Sequence, residues 1–246
     1  MTSAHDAAAR RAELCTNLEQ VRERIGAACR AAGRSREDVQ LIVVTKNFPG
    51  SDIEVLCRLG VTDIGENRDQ EASAKIAALP PRVRQCLHVH FIGQLQSNKA
   101  GSLAAYADTV HSIDRDKLVF ALDRAATAAG RDIGALVQVS LDADSDSDAG
   151  AARGGIPPDG VSALANSIAA AQHLSLRGLM AVAPLGVDPG DAFAQLATVA
   201  RDIRADHPRA TWISAGMSAD LEAAVANGAT HLRVGSAILG SRPLLG

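Results

Sequence analysis

Apolar positions recur with two different periods along this chain. Leu14, Leu18, Val21 and Ile25 are spaced three or four apart, one face of an amphipathic helix over residues 6–32. Gly33-Arg34-Ser35 ends that helix. Beyond it, short β-prone runs appear at 41–46, 62–65, 88–93, 109–113, 135–141, 174–182, 211–214 and 231–235. Ala- and Leu-rich stretches with helical spacing fall between most of them, at 51–59, 114–129, 161–171 and 191–205. Such alternation predicts parallel strands joined by crossover helices. Eight units in 246 residues predict an α/β fold, a single TIM-type (β/α)8 barrel with an extra N-terminal helix. Residues 1–246 are expected to form one domain, with 1–33 packing on the barrel. A doubly wound open sheet is the alternative, but no G-x-G-x-x-G follows a strand and no linker divides the chain.

Composition narrows the picture. Hydrophobic residues make up 47% of the chain and aromatics only 2%, so Ala, Val, Leu and Ile must build the core. A net charge of -3, with no basic run or aromatic platform, argues against nucleic acid as a partner. No apolar stretch can span a bilayer, so no membrane partner is expected. The N-terminus lacks a signal core, and Asp6, Glu13, Glu19 and Glu23 argue against a transit peptide, so a cytoplasmic location is expected. Cys15, Cys29, Cys57 and Cys86 have no C-x-x-C spacing and are expected to be buried free thiols. Few aromatics means no evident interface anchor, so a monomer is expected. Residues 142–160 form a long Asp/Ser/Gly/Pro segment. Asp142, Asp144, Asp146 and Asp148 alternate as calcium ligands might, but the required glycine is misplaced and Arg153 stands where the closing acid should be. A solvated loop is expected there.

Candidate chemistry begins at Lys46, which closes the first β-prone run. A dry site at a strand end depresses a lysine's pKa and frees its amine as a nucleophile. Strand alternation puts Val44 and Ile42 beneath an inward Lys46, and turns Leu41 and Val43 towards the helices. Closing a barrel sets the first and eighth strands side by side, which brings Arg233 and Gly235 to the same rim. Two glycine-containing turns follow the last two strands: Ser214-Ala215-Gly216-Met217-Ser218 and Gly235-Ser236-Ala237. Glycine lets an oxyanion approach the backbone, helix N-termini offer unpaired N–H groups, and Ser218 and Ser236 add hydroxyls. Each serine alone would be an ordinary N-cap. Together with Lys46 they suggest a phosphate cradle beside an aldehyde-trapping amine, the pair of groups that pyridoxal 5′-phosphate (PLP) needs, with Arg233 for its ring nitrogen. Asn67 ends the second run and could reach a cofactor or cap a helix. His88 and His90 share one strand face, but a metal would need a third ligand.

Six segments in order carry a further signal. They are Thr45-Lys46; Gly65-Glu66-Asn67 with Gln70-Glu71; His90-Phe91-Ile92-Gly93 with Leu95 to Lys99; Arg177-Gly178-Leu179-Met180; Gly216-Met217-Ser218 with Glu222-Ala223-Ala224; and Arg233 to Ile238. In this order the chain resembles the pyridoxal phosphate homeostasis proteins, over nearly everything after the first helix. The resemblance implies a barrel like the N-terminal domain of alanine racemase, with PLP as cofactor, Lys46 as Schiff-base lysine and Arg233 at the ring nitrogen. It also implies Ser218, Gly235 and Ser236 at the phosphate, Ser214 and Met217 nearby, and Asn67 on the cofactor. Such proteins are thought to buffer PLP, to pass it to PLP-dependent apoenzymes and to balance amino-acid pools without turnover. The chain departs from the pattern at Gln94, at Arg68-Asp69, at Ala215, and at Arg153, in a region where a lysine is usual.

Two enzymatic readings compete. An amino-acid racemase on this fold needs a second base, usually a tyrosine from a separate β-domain. No such domain is expected here, and the only tyrosine is Tyr106. A Schiff-base aldolase would use Lys46 on a sugar phosphate without cofactor.

Overall fold

The computed structural model describes residues 4–142 and 154–240. The expected Asp-rich loop therefore lies mostly outside the described residues, as does Arg153. Helix α1 (Ala4–Ala31) comes first. Then β1 (Gln40–Val44), α2 (Gly50–Arg58), β2 (Asp63–Glu66), α3 (Asp69–Ala77), α4 (Pro81–Gln85) and β3 (His88–Phe91) follow. Next are α5 (Ala100–Tyr106), β4 (Thr109–Ile113), α6 (Asp116–Ala129), β5 (Ile133–Gln138) and α7 (Val161–Ala170). The last are β6 (Leu174–Met180), α8 (Pro189–Asp206), β7 (Trp212–Ser214), α9 (Leu221–Ala226), β8 (His231–Val234) and α10 (Ser236–Leu239).

The eight strands form a closed parallel barrel in chain order, as the alternation predicts. Closure pairs β1 with β8, so that Ile42 stands beside Arg233 and Val43 beside Val234. Val43, Ile64, Val89, Val110, Leu232 and Val234 are fully buried in the layer between strands and helices. Ile42 and Val44 lie on the opposite face, against Gly65, where an added Cβ would come within 3.1 Å of Ile42.

The sequence periods place the long helices to within a few residues. The short helices α3, α4 and α5 carry too little periodic signal to be expected. Helix ends follow local chemistry. Asp188 caps α8 by accepting from the N–H of Gly190 at 2.7 Å, with Pro189 in the first turn. Gly130 ends α6 at φ 62°, a conformation that costs other residues a Cβ clash.

Helix α1 lays Leu14, Leu18, Val21 and Ile25 onto the barrel, next to α2, α9 and α10. Burial of these four stabilises the packing by roughly 1.5–3 kcal/mol each. Three arginines fix its register. Arg10 bonds Asp52 at 2.7 Å and the Leu239 carbonyl at 3.1 Å. Arg24 bonds Glu222 and the Ser218 carbonyl. Arg34 reaches the carbonyls of Val225 and Ala229.

Two expectations are corrected. The cysteines are free, but only Cys29 is buried; Cys15 and Cys86 are exposed because they fall on outward positions of helical turns. Lys46 does not close a strand. β1 stops at Val44 because the chain must leave the sheet to turn, and Asn47 takes a left-handed φ of 65°. Among the described residues, no helix is long and apolar enough to cross a membrane.

Candidate functional site

At the carboxyl ends of β1, β7 and β8 a cavity of about 370 Å³ opens, in the size range of small-molecule sites. Lys46, Met217, Ser218, Arg233, Gly235 and Ser236 all line it, with Val44, Phe48 and Ile92 as apolar wall. Six of the eight residues singled out in the sequence are thus brought together. Ser214 and Asn67 do not line this cavity. Ser214 is fully buried behind Arg233, whose Nη1 donates to the Ser214 hydroxyl at 2.7 Å. Asn67 lines a neighbouring cleft with Gln70, Glu71, Gln94 and Lys99. Its Oδ1 is buried without a hydrogen-bond partner.

The backbone around Lys46 is clamped from both sides. Thr45 donates its hydroxyl to Glu66 at 2.6 Å, and its carbonyl accepts from Lys75 at 3.0 Å. The N–H of Asn47 donates to Glu71 at 2.6 Å. Lys75 also bridges Glu66 and Glu71 at 2.9 and 3.0 Å. Burial pushes the Glu66 carboxyl up despite the pairing with Lys75. Left-handed backbone is uncommon outside glycine, though asparagine tolerates it best, so this network over-determines the turn that presents Lys46. Sequence reasoning had no role for Lys75. The Glu71–Lys75 spacing of four on a helix was its only signal.

Arg233 projects into the barrel at the register of Ile42. Its Nη2 donates to the Ala181 carbonyl at 2.8 Å. Burial pushes this guanidinium down to about 10, opposed by the nearby Asp220, so it remains a cation at neutral pH. Above it, the two turns meet: the Ser218 and Ser236 hydroxyls are 3.4 Å apart. The first turn is tied by Asp220, which accepts from the Met217 N–H at 2.6 Å. Glycine relieves crowding at the second, because a Cβ at Gly235 would come within 3.1 Å of the Val44 carbonyl and 3.2 Å of its Cβ. The arrangement joins an amine, a buried cation and a pair of hydroxyls on glycine-bearing turns. It suits a flat ligand with an electrophilic carbon, a ring acceptor and an anionic arm.

His88 and His90 do share an inward face, with ring centroids 4.6 Å apart. Among the described residues no group of three or more His, Cys, Asp or Glu could hold a metal ion. Tyr106 donates its hydroxyl to Asp69 at 3.4 Å, outside the cavity lining.

Comparison with known proteins bears on this geometry. Residues 16–243 match the family model for the alanine racemase N-terminal domain. A pyridoxal phosphate homeostasis protein of Mycobacterium tuberculosis (H37Rv) is 43% identical, covering 96% of this chain and 95% of its own length. The crystal structure of an unknown protein from Bifidobacterium adolescentis superposes with a TM-score of 0.86 at 32% identity, over 94% of this chain and 96% of that one. PipY of Synechococcus elongatus, solved with PLP bound, superposes with a TM-score of 0.76 at 35% identity, over 92% of this chain and all of that one.

Proposed function

Because this chain belongs to the pyridoxal phosphate homeostasis protein family, on the alanine racemase N-terminal domain fold, we propose that it binds PLP in the cavity at Lys46 and buffers or delivers it in the cell. The single observation that carries the reading is the meeting of Lys46, Arg233, Ser218 and Ser236 in the lining of one cavity. When bound, PLP supplies an aldehyde that condenses with an amine and a ring that can withdraw electrons.

The chain's own residues have distinct parts in this reading. Lys46 is the amine that holds the cofactor covalently, as a Schiff base. The clamp of Glu66, Glu71 and Lys75 keeps its backbone turn in place. Ser218 and Ser236 donate to the phosphate, and Gly235 keeps the backbone clear of its oxygens. Met217 covers one side, and Asn67 contacts the cofactor from the adjoining cleft. Ser214 acts through Arg233. The arginine donates to the ring nitrogen and, being cationic, leaves that nitrogen unprotonated.

An unprotonated ring is a poor electron sink, which supports a carrier rather than an enzyme. The position of Tyr106 supports the same choice: its hydroxyl is engaged by Asp69, away from the cavity, so it offers no second base for racemisation. We read residues 1–246 as one cofactor-binding unit, cytoplasmic and monomeric, with PLP-dependent apoenzymes as recipients.

The test is the absorbance spectrum of the protein with added PLP, before and after borohydride, beside Lys46→Ala. A near-visible band that borohydride fixes onto Lys46, and that the variant lacks, is expected. No such band would overturn the reading. Conversion of L- to D-alanine by the pure protein would overturn the carrier assignment alone.

A further inference from the structure

The interior of a barrel of this kind is ordinarily filled by branched apolar side chains. Here it holds a line of polar groups from five strands. Asp63 on β2 meets His90 Nε2 at 2.9 Å. His90 Nδ1 meets His111 Nε2 on β4 at 2.8 Å. His111 Nδ1 meets the Ser214 hydroxyl on β7 at 3.0 Å. Ser214 in turn accepts from Arg233 on β8 at 2.7 Å. His90, His111 and Ser214 are fully buried, and Arg233 nearly so.

Proton counting gives this line a direction. Arg233 can only donate, so Ser214 accepts from it and has one hydroxyl proton left. Among the hydrogen bonds of the described residues, the only other partner of that hydroxyl is His111 Nδ1. His111 then carries its proton on Nε2 and donates to His90 Nδ1. His90 carries its proton on Nε2 and donates to Asp63, which ends the line as an acceptor. Each bond uses one proton, and both imidazoles are neutral. The opposite order would need an extra proton, on His90 or on Asp63, and would strand the Ser214 hydroxyl in a dry site. Burial holds His111 well below its ordinary value, and the Arg233 cation acts the same way. The hydrogen bonds of Asp63 to His90 and Thr62 overcome burial and keep its carboxyl ionised.

We propose that Asp63, His90, His111 and Ser214 form a one-way hydrogen-bond chain that orients Arg233 and places a carboxylate counter-charge four hydrogen bonds away from that arginine. They are positioning residues for the ring-nitrogen contact, and the proposal rests on the PLP reading above. The distance matters chemically. A carboxylate against the ring nitrogen would favour its protonation and strengthen the electron sink. A cation backed by a remote carboxylate binds the ring and leaves it unprotonated. Asp220 is the acid whose charge acts on Arg233 directly, and it is tied to the Met217 N–H. Aligned hydrogen bonds polarise one another, so a change at Asp63 is felt at Arg233.

The test has two readouts on the full chain. First, histidine 15N spectra of cofactor-free protein report tautomers. His90 and His111 are expected to carry their protons on Nε2 at neutral pH. A proton on His111 Nδ1, or on both nitrogens of His90, would overturn the chain. Second, protein loaded with ring-15N PLP reports the ring nitrogen. Asp63→Asn is expected to move the ring 15N signal although Asp63 lies far from the cofactor. Ser214→Ala is expected to move it further and to weaken PLP binding roughly tenfold, with Ser214→Thr restoring both. A loaded Asp63→Asn protein with an unmoved ring signal would also sink the proposal. Should native protein fail to fix PLP on Lys46, the PLP reading falls, and the histidine spectra alone decide the chain.

Discussion

The two faces of the barrel sheet are built from different chemistry. The outer face, between strands and helices, is a continuous layer of Val, Ile, Leu and Ala with Phe91 and Phe193 as its largest fully buried members. The inner face carries Asp63, His88, His90, His111, Trp212, Ser214, His231 and Arg233. Their rings meet across strands that are not neighbours; His90, for example, lies 6.2 Å from Trp212 and 6.3 Å from His231. Apolar burial is non-directional and tolerates exchange among similar volumes. A polar interior is directional, and each member depends on its neighbours' protons. The outer layer therefore governs stability, and the inner line and its upper rim carry the groups of the proposed PLP site. Substitutions should separate the two.

The largest effect is expected at the rim. Lys46→Ala should abolish borohydride-fixed PLP altogether while leaving the circular dichroism spectrum of the fold intact. Loss of the fold would mean that rim and outer layer are not separable. Next comes the clamp that holds the rim. Lys75→Met leaves Glu66 buried beside no cation and should cost about 3–5 kcal/mol in urea unfolding at neutral pH. Because burial already raises the Glu66 carboxyl, that cost should shrink as the pH is lowered and the group takes up a proton.

A cut in the outer layer should behave oppositely. Leu56→Ala removes a fully buried side chain and should cost about 2–5 kcal/mol, with Lys46 still fixing PLP in the folded protein. A loss of fixation at matched folding would join the two faces.

The effect that is smallest at neutral pH is a slope that grows on acidification. Burial, with His90 adding to it, pushes His231 down to about 3, so the folded state keeps it neutral where the unfolded chain would protonate it. Stability from this group is complete above about 6.5 and is lost as pH falls from there towards 3. The loss should be about 1.4 kcal/mol per pH unit over that window. Burial lowers His88 too, which adds in the same direction. Replacing His231 by Leu should flatten the acid side of the stability profile.

Much of this was legible in the chain itself. Strand alternation at Ile42, Val43 and Val44 told inner from outer positions, and the order of eight β-prone runs gave the barrel. The motifs around Lys46, Ser218, Arg233 and Ser236 named the rim. Other features had no local signature. Short helices such as α4 span too few residues to show a period. The turn at Asn47 moved Lys46 off the strand end. The family resemblance implied Ser214 near the cofactor, and its inward register aims its hydroxyl at Arg233 and His111.

The sequence by itself determined the element order, the apolar outer layer and the identity of the candidate site groups, because periodicity and motif order are properties of neighbouring residues. Only the tertiary structure decided which of those groups touch. Lys75 meets Glu66 and the Thr45 carbonyl, and Asp63 is linked to Arg233 across more than a hundred and sixty residues of chain, because barrel closure brings β2, β3, β4, β7 and β8 around one axis. A hydrogen bond depends on distance in space, and nothing in the separation of two residues along the chain encodes it.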